Sequence, residues 1–341
     1  MPNNPTKILL SITLIGGILI SISSNSWLGA WMGLEVNLMS IIPLMSSQEN
    51  IYTTEASLKY FIVQALASSA LLFLVTLKAM LSQSMPLSKE VCEITIMTPL
   101  LLKMGAAPLH WWFPSVMEGL SWENCLLMMT VQKAAPMMLT SYLIGINALT
   151  LGAILTSVTV GALGGMNQTS LRKILTYSSI NHTGWMLAAV MGGNNLWILY
   201  FTVYSLLTTA MVTITKTFNV SFINQVTTAN KKATVKMMLF TTLLSLGGLP
   251  PFIGFLPKWI VIQTMISNNS MMFVITVMVI MSLMTLYYYL RICYSSFLIL
   301  HSEVKWNPWP HWENTTIKLS IVLATTSTLG IIVCTMITNV N

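Results

Sequence analysis

Long apolar runs alternate with short polar, glycine- or proline-bearing joints along nearly the whole chain. Bounded by Gly, Pro, Asn or charge, the runs fall at 7–24, 27–46, 56–80, 91–112, 122–145, 148–165, 171–191, 195–217, 235–267, 271–297 and 317–338. Most approach the roughly 20 residues that a helix needs to cross the hydrocarbon core of a bilayer. The pattern predicts an all-α, polytopic membrane protein of about eleven transmembrane helices, with the termini on opposite faces. The run at 235–267 is too long for one straight helix, and Gly247-Gly248-Leu249-Pro250-Pro251 and Pro257 divide it into half-spans. The run at 91–112 is broken in the same way by Gly105-Ala106-Ala107-Pro108. Each break has a lysine beside it, Lys103 or Lys258, a loose symmetry of the kind found in inverted-repeat transporters. No fixed-period repeat is present, and one domain spanning 1–341 is expected.

Composition narrows the class. The 341 residues are 55% hydrophobic and 7% charged, where soluble domains carry about 25% charged residues. A net charge of +7 could suggest nucleic acid, but the basic residues form no stripe with interleaved aromatics, so no nucleic-acid partner is expected. They gather instead on one side of the predicted spans. With the N-terminus inside, the inner joints hold Lys7, Lys59, Arg172, Lys173, Lys216, Lys231, Lys232, Lys236, Arg291, Lys305 and Lys318, and the outer joints hold Lys78 and Lys89. Lys7 followed by the apolar stretch Ile8 to Ile22 has the outline of a signal peptide, yet it lacks a small-x-small cleavage site and reads as a retained first span. The stretch 299–314, with His301, Lys305, Trp306, Trp309, His311 and Trp312, reads as an inner interfacial segment.

The cysteines Cys92, Cys125, Cys293 and Cys334 are too scattered for CxxC or zinc spacing, so no metal site, iron–sulfur ligation or disulfide framework is expected. Gly161-Ala162-Leu163-Gly164-Gly165 lacks a following Lys-Ser/Thr and reads as a close-packing helix face, not a phosphate loop. The 26 methionines read as flexible apolar filler.

The candidate chemistry lies in ionisable residues placed within apolar runs: Glu35, Lys103, Lys133 and Lys258. Each costs roughly 2.5–3.5 kcal/mol to insert at the centre of a bilayer, so such residues mark function. Lys103 and Lys133 are central, and Pro136 is placed to loosen the helix around Lys133. Lys258 follows Pro257, and for it snorkelling to the headgroups stands as an equal reading. Glu35 lies too deep for a short carboxylate to reach water and needs a lysine on a neighbouring span. Opposite charge favours the charged forms of such a pair while burial favours the neutral ones, leaving a balance that a small displacement can tip. A static ion pair that locks packing is the other reading. His182, in Ser178-Ser179-Ile180-Asn181-His182-Thr183-Gly184, suits either a proton relay or a structural hydrogen bond. His110, just after the break at Gly105, is a candidate entry or exit point for protons.

The segments NSWLGAWMGLE (25–35), LLLKMGAAPLHWWFP (100–114), GGMNQTSLRK (164–173), SSINHTG (178–184) and SLGGLPPFIGFLPKW (245–259) resemble the chain 2 family of mitochondrial NADH:ubiquinone oxidoreductase (complex I), of animal type. The resemblance runs nearly the whole length. It implies an antiporter-like membrane subunit with two inverted repeats, each with a broken helix. It places a proton-transfer axis on Glu35, Lys103, Lys133 and Lys258, and histidine candidates on His110 and His182. It also implies a core subunit of a proton-pumping, NADH-oxidising translocase in the mitochondrial inner membrane, N-terminus in the matrix and C-terminus in the intermembrane space. No cofactor is expected on this chain; NADH, FMN, iron–sulfur clusters and ubiquinone would serve on other subunits. Expected partners are the other membrane-arm subunits, including neighbouring antiporter-like ones, accessory subunits and lipids. The rival readings are a free-standing cation/proton antiporter, a non-pumping scaffold in the same complex, and a quinone-binding subunit.

Overall fold

The computed structural model describes residues 5–47, 50–84, 89–228, 233–266, 271–294, 315–328 and 330. Among the described residues there are fifteen α-helices and no strand, only an isolated bridge between Ser170 and Phe222. Six of the helices are long and apolar enough to cross a membrane. The chain divides into two compact units, Met1–Ser157 and Val158–Asn341.

The first unit contains α1 (Pro5–Ser23), α2 (Trp27–Met45), α3 (Ile51–Ser84), α4 (Lys89–Met104), α5 (Trp112–Gly119), α6 (Trp122–Met129) and α7 (Val131–Ser141), and α8 (Ala148–Met166) begins in it. Ser26 starts α2 by accepting a hydrogen bond from the Gly29 amide at 3.2 Å. On its flank α2 meets α1 almost backbone to backbone. A Cβ on Gly33 would lie 2.5 Å from the Ser21 nitrogen, and one on Gly17 would lie 2.8 Å from the Asn37 nitrogen. Small residues make this approach possible, as at other helix crossings in membranes. α2 also packs on α3, α3 on α4 and α5, and α7 on α1, α4 and α6.

Two elements depart from the apolar pattern. α3 starts at Ile51, ahead of the predicted 56, because Glu55 and Lys59 form an exposed i,i+4 ion pair at 2.7 Å that suits a helical turn outside the apolar run. The predicted run 122–145 is interrupted at Thr130, where φ is −112° and ψ −73°, and the Thr130 hydroxyl donates to the Leu126 carbonyl at 2.8 Å. Pro136 lies inside α7, so the interruption falls before Lys133 and not at the proline.

The second unit contains α9 (Leu171–Gly192), α10 (Asn194–Thr217), α11 (Ile223–Thr228), α12 (Ala233–Gly247), α13 (Phe255–Ile266), α14 (Met272–Tyr294) and α15 (Thr315–Thr328). α10 packs on α9, α12, α13 and α15, and α13 also on α9 and α14. α9 is the least apolar of the long helices in this unit and the most enclosed: Thr176, Ser178, Ser179, Asn181, His182 and Thr183 are all buried. The predicted interfacial segment 299–314, with Lys231, Lys232 and Cys334, lies outside the described residues. The predicted span 317–338 is described only to Thr328, and at residue 330.

Candidate functional site

α4 and α12 end in the same motif. After α4, Gly105 adopts φ +69°, its amide donates to the Leu102 carbonyl at 3.1 Å, and the Ala106 amide donates to Leu101, also at 3.1 Å. After α12, Gly248 adopts φ +80°, with its amide on Ser245 at 3.0 Å and the Leu249 amide on Leu244 at 3.4 Å. These paired bonds close a helix on a left-handed residue, a conformation that glycine adopts without a Cβ clash. Each end leaves further carbonyls in need of donors.

In the first unit those donors are neutral. The Trp112 indole donates to the Leu102 carbonyl at 3.2 Å, and the Gln64 amide to the Lys103 carbonyl at 3.4 Å. The Lys103 ammonium is therefore not used as a cap. Lys103 is buried, 6% exposed, and lines a small cavity with Leu34, Asn37, Tyr60, Gln64 and Gln132, roomy enough for about one water. Glu35, half-buried on α2, is the acid whose charge acts on Lys103, yet no ion-pair contact within 4.0 Å joins them. Glu35 and Lys103, both on the expected proton-transfer axis, are thus not bonded to each other.

Lys133 is the most enclosed lysine among the described residues, 1% exposed, with its ammonium 5.0 Å from the centre of the Phe113 ring. The ring face carries negative potential and offsets part of the loss of water around the cation. Its neighbour Gln132 exchanges two hydrogen bonds with Asn37: Asn37 Nδ2 donates to Gln132 Oε1 at 3.1 Å, and Gln132 Nε2 to Asn37 Oδ1 at 2.9 Å. The Tyr60 hydroxyl also donates to Gln132 Oε1, at 3.1 Å. Sequence reading missed Asn37, Tyr60 and Gln132, whose one signal was polarity within apolar runs.

In the second unit the donor at the helix end is charged. Lys258, 5% exposed, donates from Nζ to the Gly247 carbonyl at 2.9 Å and lies 5.8 Å from the Trp185 ring. It points inward to a helix C-terminus, whose partial negative charge suits a cation, and does not snorkel. His182, 6% exposed, shares a 2.8 Å hydrogen bond between Nδ1 and the Tyr200 hydroxyl, with the Tyr204 ring 5.0 Å away. His110 is only half-buried, in the joint between α4 and α5, with Nδ1 3.3 Å from the Pro108 carbonyl. The structure therefore gathers Glu35, Lys103 and Lys133 within the first unit, and Lys258 and His182 within the second. Among the described residues no group of His, Cys or Glu could hold a metal ion, and Cys92, Cys125 and Cys293 form no disulfide with one another.

Residues 24–285 match the family described as NADH:quinone oxidoreductase/Mrp antiporter, transmembrane. The chain belongs to this family. Residues 286–338 match a second description, NADH dehydrogenase subunit 2 C-terminus. NADH-ubiquinone oxidoreductase chain 2 of Anopheles gambiae is 48% identical over 329 residues, covering 96% of each chain. Chain 2 of Loxodonta africana is 39% identical over 335 residues, again covering 96% of each. Among solved structures, a chain of respiratory complex I from Thermus thermophilus superposes with a TM-score of 0.84 at 23% identity, over 97% of this chain and 79% of that one. A chain of the Mrp complex from Dietzia gives a TM-score of 0.76 at 19% identity, over 85% and 60%. Those two likenesses establish the antiporter-family fold, which the chain keeps at low sequence identity.

Proposed function

We propose that this chain is a core membrane-arm subunit of mitochondrial NADH:ubiquinone oxidoreductase, and that it carries part of that enzyme's proton translocation. The observation that carries the reading is near-full-length identity of up to 48% to proteins named as chain 2 of that enzyme. The three lysines, each no more than 6% exposed within an apolar bundle, support the proton-transfer role. Redox chemistry belongs to other subunits, where NADH, FMN, iron–sulfur clusters and ubiquinone act. The chain forms one antiporter-like domain of about eleven spans with inverted repeats. Its N-terminus faces the matrix and its C-terminus the intermembrane space, in keeping with the lysine and arginine asymmetry.

In the mechanism, quinone reduction elsewhere in the complex perturbs the surroundings of Glu35. With no bond between them, a shift of the Glu35 charge changes how firmly Lys103 holds its proton, and no contact has to break first. The proton leaves Lys103, passes to Lys133, and continues toward Lys258, with His182 and His110 as candidate relay groups. Moving one charge against 100 mV costs about 2.3 kcal/mol, a size that the approach or departure of one buried charge can supply. A Glu35→Gln variant tests this. The protein should still co-isolate with a large NADH-oxidising assembly and lose protons pumped per electron. Isolation as a free-standing, active cation/proton antiporter would overturn the reading.

A further inference from the structure

Asn37 and Gln132 form a closed amide pair in the interior of the first unit, 3% and 8% exposed. Each carbonyl accepts from the other's amide nitrogen, at 2.9 and 3.1 Å, so the two side chains satisfy one another across 95 positions of sequence. What the pair joins gives it meaning. Asn37 is on α2, two positions after Glu35, and Gln132 is on α7, directly before Lys133. Both amides line the cavity that Lys103 faces, whereas Lys133 lies against the Phe113 ring. The third bond, from Tyr60, links the pair to an aromatic series: the Tyr60 ring is 5.7 Å from that of Trp112, which is 5.4 Å from that of Phe113. Trp112 also holds the Leu102 carbonyl, beside Lys103.

A neutral amide pair is a poor carrier of protons. Its nitrogens have no lone pair free for protonation near neutral pH, and here each carbonyl is already engaged. Gln132 lines the Lys103 cavity and directly precedes Lys133, so a water path that ran past the two amides is closed while they face each other. Because the helix that carries Glu35 also carries Asn37, a displacement of α2 acts on the charge felt by Lys103 and on the amide pair together. α2 is braced against α1 through Gly17 and Gly33, so it responds as a unit and not residue by residue.

We propose that the Asn37–Gln132 pair is a gate between Lys103 and Lys133, closed in this structure and opened by movement of α2, with Tyr60 as the group that holds Gln132 in register. This rests on the proton-transfer reading above and adds positioning residues to it. When the gate opens, after the Lys133 ammonium has given its own proton onward and become the amine, a proton leaves the Lys103 ammonium over intervening water and arrives on Lys133. Lys103 becomes the neutral amine as Lys133 becomes the ammonium.

The test is protons translocated per electron in vesicles carrying the intact complex. Because the ratio is taken per electron, a loss of assembled complex leaves it unchanged, which separates gating from a structural role. Asn37→Ala and Gln132→Ala should each lower the ratio while NADH oxidation continues. The double variant should be no worse than either single one, since the pair acts as a unit. The exchange Asn37→Gln with Gln132→Asn, which keeps two facing amides, should restore the ratio. Tyr60→Phe, the mildest change, should give a smaller loss and covers the case in which the alanine variants fail to assemble. An unchanged ratio in these variants alongside a lowered one in Lys133→Ala would overturn the gate and leave the pumping role standing. If Lys133→Ala also left the ratio unchanged, both would fall. An exchanged pair as deficient as the single variants would likewise refute the gate.

Discussion

At Met104 and at Gly247 a helix stops on a following glycine in the left-handed region, and a lysine lies within reach of each stop, yet the two lysines end in different company. Lys103 belongs to the helix that stops, and neutral donors from Trp112 and Gln64 meet the carbonyls there. Lys258 belongs to the next helix and reaches back to donate to Gly247. One ammonium is left facing a cavity and a distant acid; the other is fixed by a helix end. A charge with no bonded partner can change protonation at little structural cost, whereas a capping charge that loses its proton weakens the helix end it completes. The difference teaches that Lys103 is suited to switching and Lys258 to holding, although both stand beside a Gly/Pro joint in the sequence.

The contrast breaks most readily at the lysines themselves. Lys258→Met leaves the Gly247 carbonyl buried without its donor and should destabilise the second unit by about 1–3 kcal/mol. Lys103→Met removes a buried, unbonded charge and should be close to neutral or stabilising for the fold. Thermal inactivation of the detergent-solubilised complex measures both, and equal losses would remove the distinction. The glycines give a smaller effect. Alanine at either Gly105 or Gly248 should cost about 1–2 kcal/mol from its backbone conformation. Gly248→Ala should be the worse, since its Cβ would lie 3.0 Å from Lys258 Cδ and 3.1 Å from Nζ, and that of Gly105 no closer than 3.3 Å to Phe113. Below these, Tyr200→Phe deprives His182 of its 2.8 Å partner and should cost about 1 kcal/mol, read by the same inactivation assay. The smallest effect belongs to Lys59→Ala: the Glu55–Lys59 pair is about half exposed, and its loss should change stability by less than about 0.5 kcal/mol.

Much of the fold was legible because membrane helices announce themselves by length and apolarity. The helix ends at Met104 and Gly247 were legible because Gly105, Pro108, Gly248 and Pro250 interrupt apolar runs. The stop at Thr130 was hidden, since threonine is common inside helices and Pro136 drew attention to the wrong turn. Within the site, buried charge is conspicuous one residue at a time, so Glu35, Lys103, Lys133 and Lys258 stood out. Which carbonyl Lys258 would meet was not legible, because it depends on how α13 folds back on the end of α12. The Asn37–Gln132 pair was invisible for a related reason: two neutral amides far apart in sequence acquire meaning only when packing brings them face to face. The polar character of α9 was legible, but its near-complete enclosure follows from the helices that surround it.

The most direct test of the account is the number of protons translocated per electron by the reconstituted complex carrying Lys133→Ala. Lys133 is the most enclosed of the lysines among the described residues and directly follows Gln132 of the proposed gate. The account predicts a lower ratio with NADH oxidation retained. An unchanged ratio at unchanged turnover would contradict it.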